Sequence, residues 1–132
     1  MDISLCEINL DTNEVLMASA KRTSIVRQNG EIKKLKGDNR SIGGHDPMKT
    51  KFTLDKLNLD KGDALYLFTD GFTDQFGGTN DKKLMISGVL EMLTALEDVN
   101  REHHFQAIRS NFAMWRATTP QVDDVLFITL LF

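Results

Sequence analysis

The chain is poor in the residues that would give its chemistry away. Among 132 residues there is one cysteine, and there are two prolines, one tryptophan and one tyrosine. A lone thiol builds neither an internal disulfide framework nor a Cys-rich metal site. Cys6 sits in an apolar strand pattern and reads as a small buried residue rather than a nucleophile. No apolar run approaches the length of a membrane span and no signal peptide is visible, so the expectation is a cytoplasmic protein with no membrane contact. A basic excess is missing too. Sixteen Lys and Arg face nineteen Asp and Glu, for a net charge of -3, which leaves no electrostatic footprint for nucleic acid. The densest basic stretch, EIKKLKGDNR, is mixed with acids and reads as a solvated hairpin. No repeat, linker or low-complexity tract divides the chain, so a single domain over residues 1–132 is expected. That length suffices for a sizeable core, and 41% hydrophobic with 27% charged residues is ordinary for a globular protein.

What is present begins with strands. In MDISLCEINLDTNEVLMAS, Ile3, Leu5, Ile8 and Leu10 mark one run, with a phase break near Cys6 and Glu7. Val15, Leu16, Met17 and Ala18 mark a second, and Asp11, Thr12 and Asn13 supply turn chemistry between them. TSIVRQNGEIKKLKG repeats the plan around Asn29-Gly30, a pair that tolerates positive φ in a tight hairpin. KFTLDKLNL alternates at Phe52 and Leu54 and shifts phase to Leu57 and Leu59. ALYLF, residues 64–68, is continuously apolar and suits a strand buried on both faces.

The period then changes. Leu84, Met85, Val89, Met92, Leu93 and Leu96 recur at helical spacing, and Phe105, Ile108, Phe112 and Trp115 fall on one stripe of a second helix. The stripe reads as core packing rather than an aromatic ligand box. His103 and His104 are adjacent, point to different sides of a helix, make a poor metal pair, and read as surface residues. Thr118, Thr119 and Pro120 end the helix before QVDDVLFITLLF, which reads as the last strand. The fold class expected is α+β: an antiparallel sheet or partial β-sandwich with two helices packed on it. The helices are placed between about Asp81 and Arg116, and the last strand within residues 124–132.

Acids gather where strands begin and end. Asp70 follows the ALYLF strand and precedes Gly71; Asp74 lies just beyond; Asp123 and Asp124 open the last strand. Carboxylates at the ends of neighbouring strands can converge on hard cations such as Mg²⁺ or Mn²⁺, which take oxygen ligands. Asp-Gly after a strand is also the commonest kind of turn, and from spacing alone the turn reading outweighs the ligand reading. Gly77 and Gly78 read as a flexible loop, since a lone glycine pair is no phosphate-binding signature.

The order of these segments carries more than any one of them. GDALYLFTDGFTDQFGG, then KKL, two helices with the second ending near Trp115, and QVDDVLFITLLF resemble the metal-dependent protein phosphatase family (PPM), in its sporulation stage II E (SpoIIE) branch. The upstream ASAKRTSIVRQNGEIKKLKGDNRSIGG resembles the hairpin and Gly-Gly loop that precede those motifs, so the likeness spans nearly the whole chain. It implies a β-sandwich flanked by helices and a dinuclear Mg²⁺ or Mn²⁺ centre that hydrolyses phosphoserine or phosphothreonine in phosphoprotein substrates, often in bacterial signalling. Asp70, with Gly71 beside it, matches the mid-domain metal ligand. Asp123 matches the late one, with Asp124 the second choice of the pair.

The likeness also implies what the chain does not carry. The family's domain normally opens with a strand bearing a Gly-Gly-Asp type motif and a second bearing an Asp-Gly-His-Gly type motif, whose acids add ligands. MDISLCEINL matches a strand from the middle of the domain. Ile42-Gly43-Gly44-His45-Asp46 has similar letters, but His45 intervenes and the position fits a later loop. The expectation is therefore the carboxy-terminal part of a phosphatase domain, with no catalytic residue assigned and metal binding weak or absent in this chain. It should associate as a homo-oligomer, because uncovered apolar surface and strand edge invite pairing. The alternatives are a non-catalytic module that binds a partner protein, and a site completed by a separate chain.

Overall fold

The structure is a computed structural model that describes residues 1–43, 51–96 and 100–132. Gly44, His45 and Asp46 of the upstream glycine loop lie outside the described residues. Two units divide the chain, Met1–Leu67 with Phe132, and Phe68–Leu131.

The first unit is built from hairpins. Strands β1 (Ile3–Asn9) and β2 (Glu14–Ala20) pair antiparallel from Ile3↔Ala20 to Asn9↔Glu14, with Asn13 at φ 54 in the connection. Asn9 Oδ1 accepts the amides of Asp11 and Thr12 and so folds the turn. Strands β3 (Thr23–Gln28) and β4 (Glu31–Lys36) form the second hairpin, and Asn29 and Gly30 take φ 52 and 78, the left-handed pair that a two-residue turn requires. Strand β5 (Asp55–Asn58) adds to β2, giving a sheet of order β1-β2-β5. Strand β6 (Ala64–Phe68) adds to β3, with Ile25 opposite Tyr66.

Burial explains this arrangement. In β2, Val15, Met17 and Ser19 are buried in alternation, as in a sheet with one face covered. In β3 every residue from Ser24 to Arg27 is buried, and in β6 Ala64, Leu65 and Tyr66 are fully buried. The hydroxyls of Ser4 and Ser24 meet at 3.4 Å and Ser19 Oγ lies 3.0 Å from Ser4 Oγ, so a short polar chain ties β1 and β2 to β3. The expected α+β fold with a partial sandwich is what the structure holds. One detail of β1 differs from expectation. The strand has no phase break: Ser4, Cys6 and Ile8 are the sheltered positions, and Leu5 is 68% exposed. Cys6 is half-buried rather than buried, and desolvation pushes its thiol up.

Two buried polar groups show how the first unit satisfies its interior. Burial pushes the Tyr66 phenol up, against the opposing pull of its hydrogen bond with Arg27, itself buried. Asp63 is 4% exposed, and its two carboxylate oxygens accept the amides of Asn29 at 2.8 Å and Asp60 at 2.9 Å. Its backbone carbonyl accepts the amide of Phe132 at 3.1 Å, and the Phe132 carbonyl accepts that of Gly62 at 2.9 Å, which fastens the chain's last residue.

The second unit carries the helices. Helix α1 (Asp70–Thr73) is one short turn, strands β7 (Phe76–Gly77) and β8 (Lys82–Lys83) form a small hairpin, and helices α2 (Met85–Thr94) and α3 (Arg101–Arg116) follow. Both longer helices fall where the helical spacing put them; α1 was not expected, because four residues are too few to show a period. Asn100 caps α3, its side-chain oxygen accepting the amides of Glu102 and His103. Ala117, at φ 46, ends it just before the Thr-Thr-Pro stop. Strand β9 (Phe127–Leu131) closes the unit. Among the described residues no helix is long and apolar enough to cross a membrane.

The inward stripe of α3 is shifted from the expected one at its first member. His104 is 1% exposed and Ile108 7%, whereas Phe105 is 58% exposed. The surface reading of His104 is thus corrected, while His103 is exposed as expected. The cause is helical geometry: positions 104, 108, 112 and 115 repeat at +4, +4 and +3, and that face takes an imidazole at its first member while the neighbouring phenyl points out.

Replacing Asp63, itself buried, by alanine strips two part-buried turn amides of their acceptor. The expected loss is about 2–4 kcal/mol, read as a lower urea midpoint at unchanged slope.

Candidate functional site

The site is built from Phe72 outward. Its ring is 2% exposed and lies 4.6 Å from Phe112, 4.7 Å from Phe127 and 6.3 Å from Phe68, while Phe68 and Phe127 stack at 5.5 Å. These four rings join α1, α3 and the start of β9 around one apolar centre. Asp70 is two residues before the buried ring, on the exposed side of a turn whose other residues, Gly71, Phe72 and Thr73, are buried. The Asp70 carbonyl accepts the amide of Asp74 at 2.7 Å and the hydroxyl of Thr73 at 3.1 Å, which locks the turn.

The second acidic segment is held against the first by backbone. The Thr69 amide donates to the Leu126 carbonyl at 3.0 Å, and the Leu126 amide donates back to Thr69 Oγ1 at 3.0 Å. Thr69 Oγ1 in turn donates to the Asp124 carbonyl at 2.9 Å. Gly71 completes the contact. A Cβ there would run into the Asp124 carbonyl oxygen, 3.0 Å from that residue's carbonyl carbon and 3.3 Å from that of Asp123. Glycine is needed for close approach, not for a turn.

Each expected residue can now be placed. Asp70, Asp123 and Asp124 are all exposed, on two segments in direct contact. Asp123 Oδ1 accepts the amide of Asp124 at 2.7 Å, and its carbonyl accepts Gln121 Nε2 at 2.8 Å, so the acidic corner is folded on itself. Asp74 pairs with Lys83 at 2.9 Å and does not stand as an unengaged carboxylate. The donors are oxygen only, which suits a hard divalent cation. Among the described residues no group of three or more His, Cys, Asp or Glu is placed to hold a metal ion. In donor chemistry alone, oxygen ligands of this kind suit Mg²⁺ or Mn²⁺.

Sequence reading missed three parts of this corner: Thr69, whose hydroxyl bridges the two segments; Phe72, its apolar anchor; and the true setting of the glycine pair. Gly77 and Gly78 are not a flexible loop. Gly77 is paired in β7, and a Cβ on it would collide with the Trp115 carbonyl, 2.7 Å from the carbonyl carbon. The Gly78 amide donates to that same carbonyl at 2.9 Å. The letters FGG carry this signal only once the single tryptophan is known to dock there.

The comparisons agree with this architecture. The family described as Stage II sporulation protein E (SpoIIE) matches the chain over residues 1–132, and the chain belongs to that family. It is similar in structure to the SiaA-PP2C domain of Pseudomonas aeruginosa, at 26% identity and a TM-score of 0.85, covering 99% of this chain and 51% of that one. It is also similar to the phosphatase domain of the cell fate determinant SpoIIE from Bacillus subtilis, at 11% identity and a TM-score of 0.72, covering 98% of this chain and 57% of that one. A longer Bacillus subtilis structure, the PP2C phosphatase domain with a fragment of the regulatory domain, matches at 13% identity and a TM-score of 0.79, covering 99% of this chain and 37% of that one. The Bacillus likenesses show the fold alone. The chain spans about half the length of the first two of these relatives. No curated protein matches it.

Gly71→Ala should force the two acidic segments apart. The expected cost is about 1–3 kcal/mol of stability, with amide shifts at Asp123 and Asp124 in a heteronuclear NMR spectrum. Asp70→Asn, at an exposed position, should change stability by no more than about 0.5 kcal/mol.

Proposed function

We propose that residues 1–132 form the carboxy-terminal part of a SpoIIE-type protein serine/threonine phosphatase domain and supply one edge of its metal centre, in a cytoplasmic signalling protein acting on phosphoprotein substrates. The observation that supports this reading is the packing of Gly71 on the Asp124 backbone, which brings the two acid-bearing segments into contact. Asp70 and Asp123 would hold Mn²⁺ or Mg²⁺, with Asp124 the second choice. When bound, such an ion supplies Lewis-acid polarisation of a phosphoryl oxygen and a more acidic water. The chain's own part is to fix its carboxylates on rigid backbone, through Thr69 and the Phe72 cluster, and to keep them exposed to a substrate.

A ligand count limits what this edge does alone. Hard divalent cations take six or more oxygen donors, and holding two of them close needs several carboxylates. Two aspartates leave most positions to water or to groups outside these segments. The chain by itself is therefore read as weakly metal-binding and without meaningful turnover. The test is Mn²⁺-dependent hydrolysis of p-nitrophenyl phosphate by this chain, beside a longer chain carrying the family's upstream strands. Activity is expected only in the longer chain, and Asp70→Asn in it should abolish turnover with little loss of folding. Robust hydrolysis by the 132-residue chain would overturn the incompleteness, and hydrolysis surviving Asp70→Asn would overturn the site.

A second reading, a module that binds a partner protein or another copy of itself, is favoured by apolar side chains left in solvent. Leu5 is 68% exposed and Leu54 62% in the first unit, and Met85 is 54% and Phe105 58% exposed in the second. A homodimer or larger assembly is expected by light scattering, and a clean monomer at high protein concentration would count against it.

A further inference from the structure

Among the described residues of the second unit Gln75 is the one fully buried side-chain amide, and its contacts reach α3, the entry to α2 and the loop before β9. The residue is 0% exposed. Its Nε2 donates to the Phe76 carbonyl at 2.9 Å and to the Pro120 carbonyl at 3.0 Å. Its backbone carbonyl accepts Trp115 Nε1 at 3.0 Å and the Leu84 amide at 3.0 Å. One residue thus binds the end of α3, the entry to α2, and the loop that leads from α3 to β9. Pro120 lies three residues before Asp123, and Gln75 lies five residues after Asp70.

We propose that Gln75 is the positioning residue that holds the Asp123 segment against Asp70, with Trp115 and the glycine pair completing the clasp. Its functional meaning rests on the metal-edge reading above; its geometry does not. The loop over residues 117–126 has no regular structure, so it needs anchors to present a carboxylate at a fixed place. The bond to Pro120 is one such anchor, and the Thr69 bonds to Asp124 and Leu126 are the other. Both Nε2 protons are used on backbone carbonyls, which fixes the orientation of the amide. Gln75 Oε1 is buried with no hydrogen-bond partner among the described residues. Such an unmatched oxygen is costly, so an apolar side chain of equal length would be favoured here if the position served packing alone. Glycine at 77 and 78 lets the Trp115 backbone and ring close over the hairpin, with the ring 3.0 Å from where a Gly78 Cβ would stand.

The test uses the 132-residue chain, with amide hydrogen exchange as the reading. Gln75→Met keeps the length of the side chain and removes both donors; Gln75→Asn keeps an amide too short to reach both carbonyls. Exchange at the Thr69 and Leu126 amides should rise about tenfold in both variants, while the Asn29 and Asp60 amides, held by Asp63 in the first unit, stay unchanged. Unchanged exchange at the Thr69 and Leu126 amides in folded Gln75→Met would overturn the proposal. So would uniform acceleration across both units, or failure of both Gln75 variants to fold, since Gln75 would then serve general stability. Mn²⁺ binding, followed by water-proton relaxation, separates this claim from the metal reading. If Mn²⁺ binding is lost in Asp70→Asn, Gln75→Met should weaken it several-fold, and an unmoved affinity would overturn the positioning role. Mn²⁺ binding that persists in Asp70→Asn would count against the metal edge; in that case, or where the unmutated chain binds too weakly to measure, the exchange result decides the clasp.

Discussion

The acidic corner depends on a place where no side chain fits. Gly71 lies so close to the backbone of Asp123 and Asp124 that a single methyl group would collide with it. Everything nearby follows from that approach. Thr69 can then reach the Asp124 carbonyl and the Leu126 amide, and Phe68 and Phe72 can both reach Phe127. Exposed carboxylates on surface loops usually drift apart, because like charges gain nothing by proximity. Here backbone packing and four aromatic rings set the positions, and the carboxylates go where the backbone puts them.

This division of labour separates the polar from the apolar work. Apolar contact fixes α1 and the start of β9, while Thr69 and Gln75 satisfy backbone groups that irregular structure would otherwise leave bare. The first unit follows the same rule with different residues. Asp63 serves two turn amides there, and three serine hydroxyls answer one another between β1, β2 and β3. Asp63 in one unit and Gln75 in the other act on loops, where ladder hydrogen bonds run out.

Much of the fold was legible because its signals are local. Asn29-Gly30 specifies a two-residue hairpin by backbone preference, and ALYLF specifies a strand covered on both faces by its unbroken apolar run. The two longer helices showed their period. Phase was less legible than period. Leu5 and Phe105 are more apolar than their neighbours Cys6 and His104, yet it is the neighbours that are sheltered, because the rest of each element decides which face turns inward. The helical turn at Asp70 was too short to read. Of the candidate corner, the acids themselves could be named from the order of motifs. The hydroxyl of Thr69, the amide of Gln75 and the glycine pair could not, since each acts on backbone groups far away in sequence, and backbone carries no letter.

The geometry also bears on why such a corner belongs in a hydrolytic family. A hard cation held by carboxylates needs donors whose positions do not relax when charge redistributes around it. Long side chains on mobile loops would follow the charge and weaken any catalytic field. Aspartate has a short side chain, and here Asp70 follows a strand whose first three residues are fully buried while Asp123 is pinned by the Asp124 amide on its Oδ1. Lys83 is drawn to Asp74 at 2.9 Å, so that carboxylate has its own counter-charge. In the proposed reading, the rigidity belongs to this chain and the remaining donors come from outside these two segments. The corner is then a fixed half of a clamp: its positions are set by packing before any ion arrives, and its affinity is set by whatever closes on the other side.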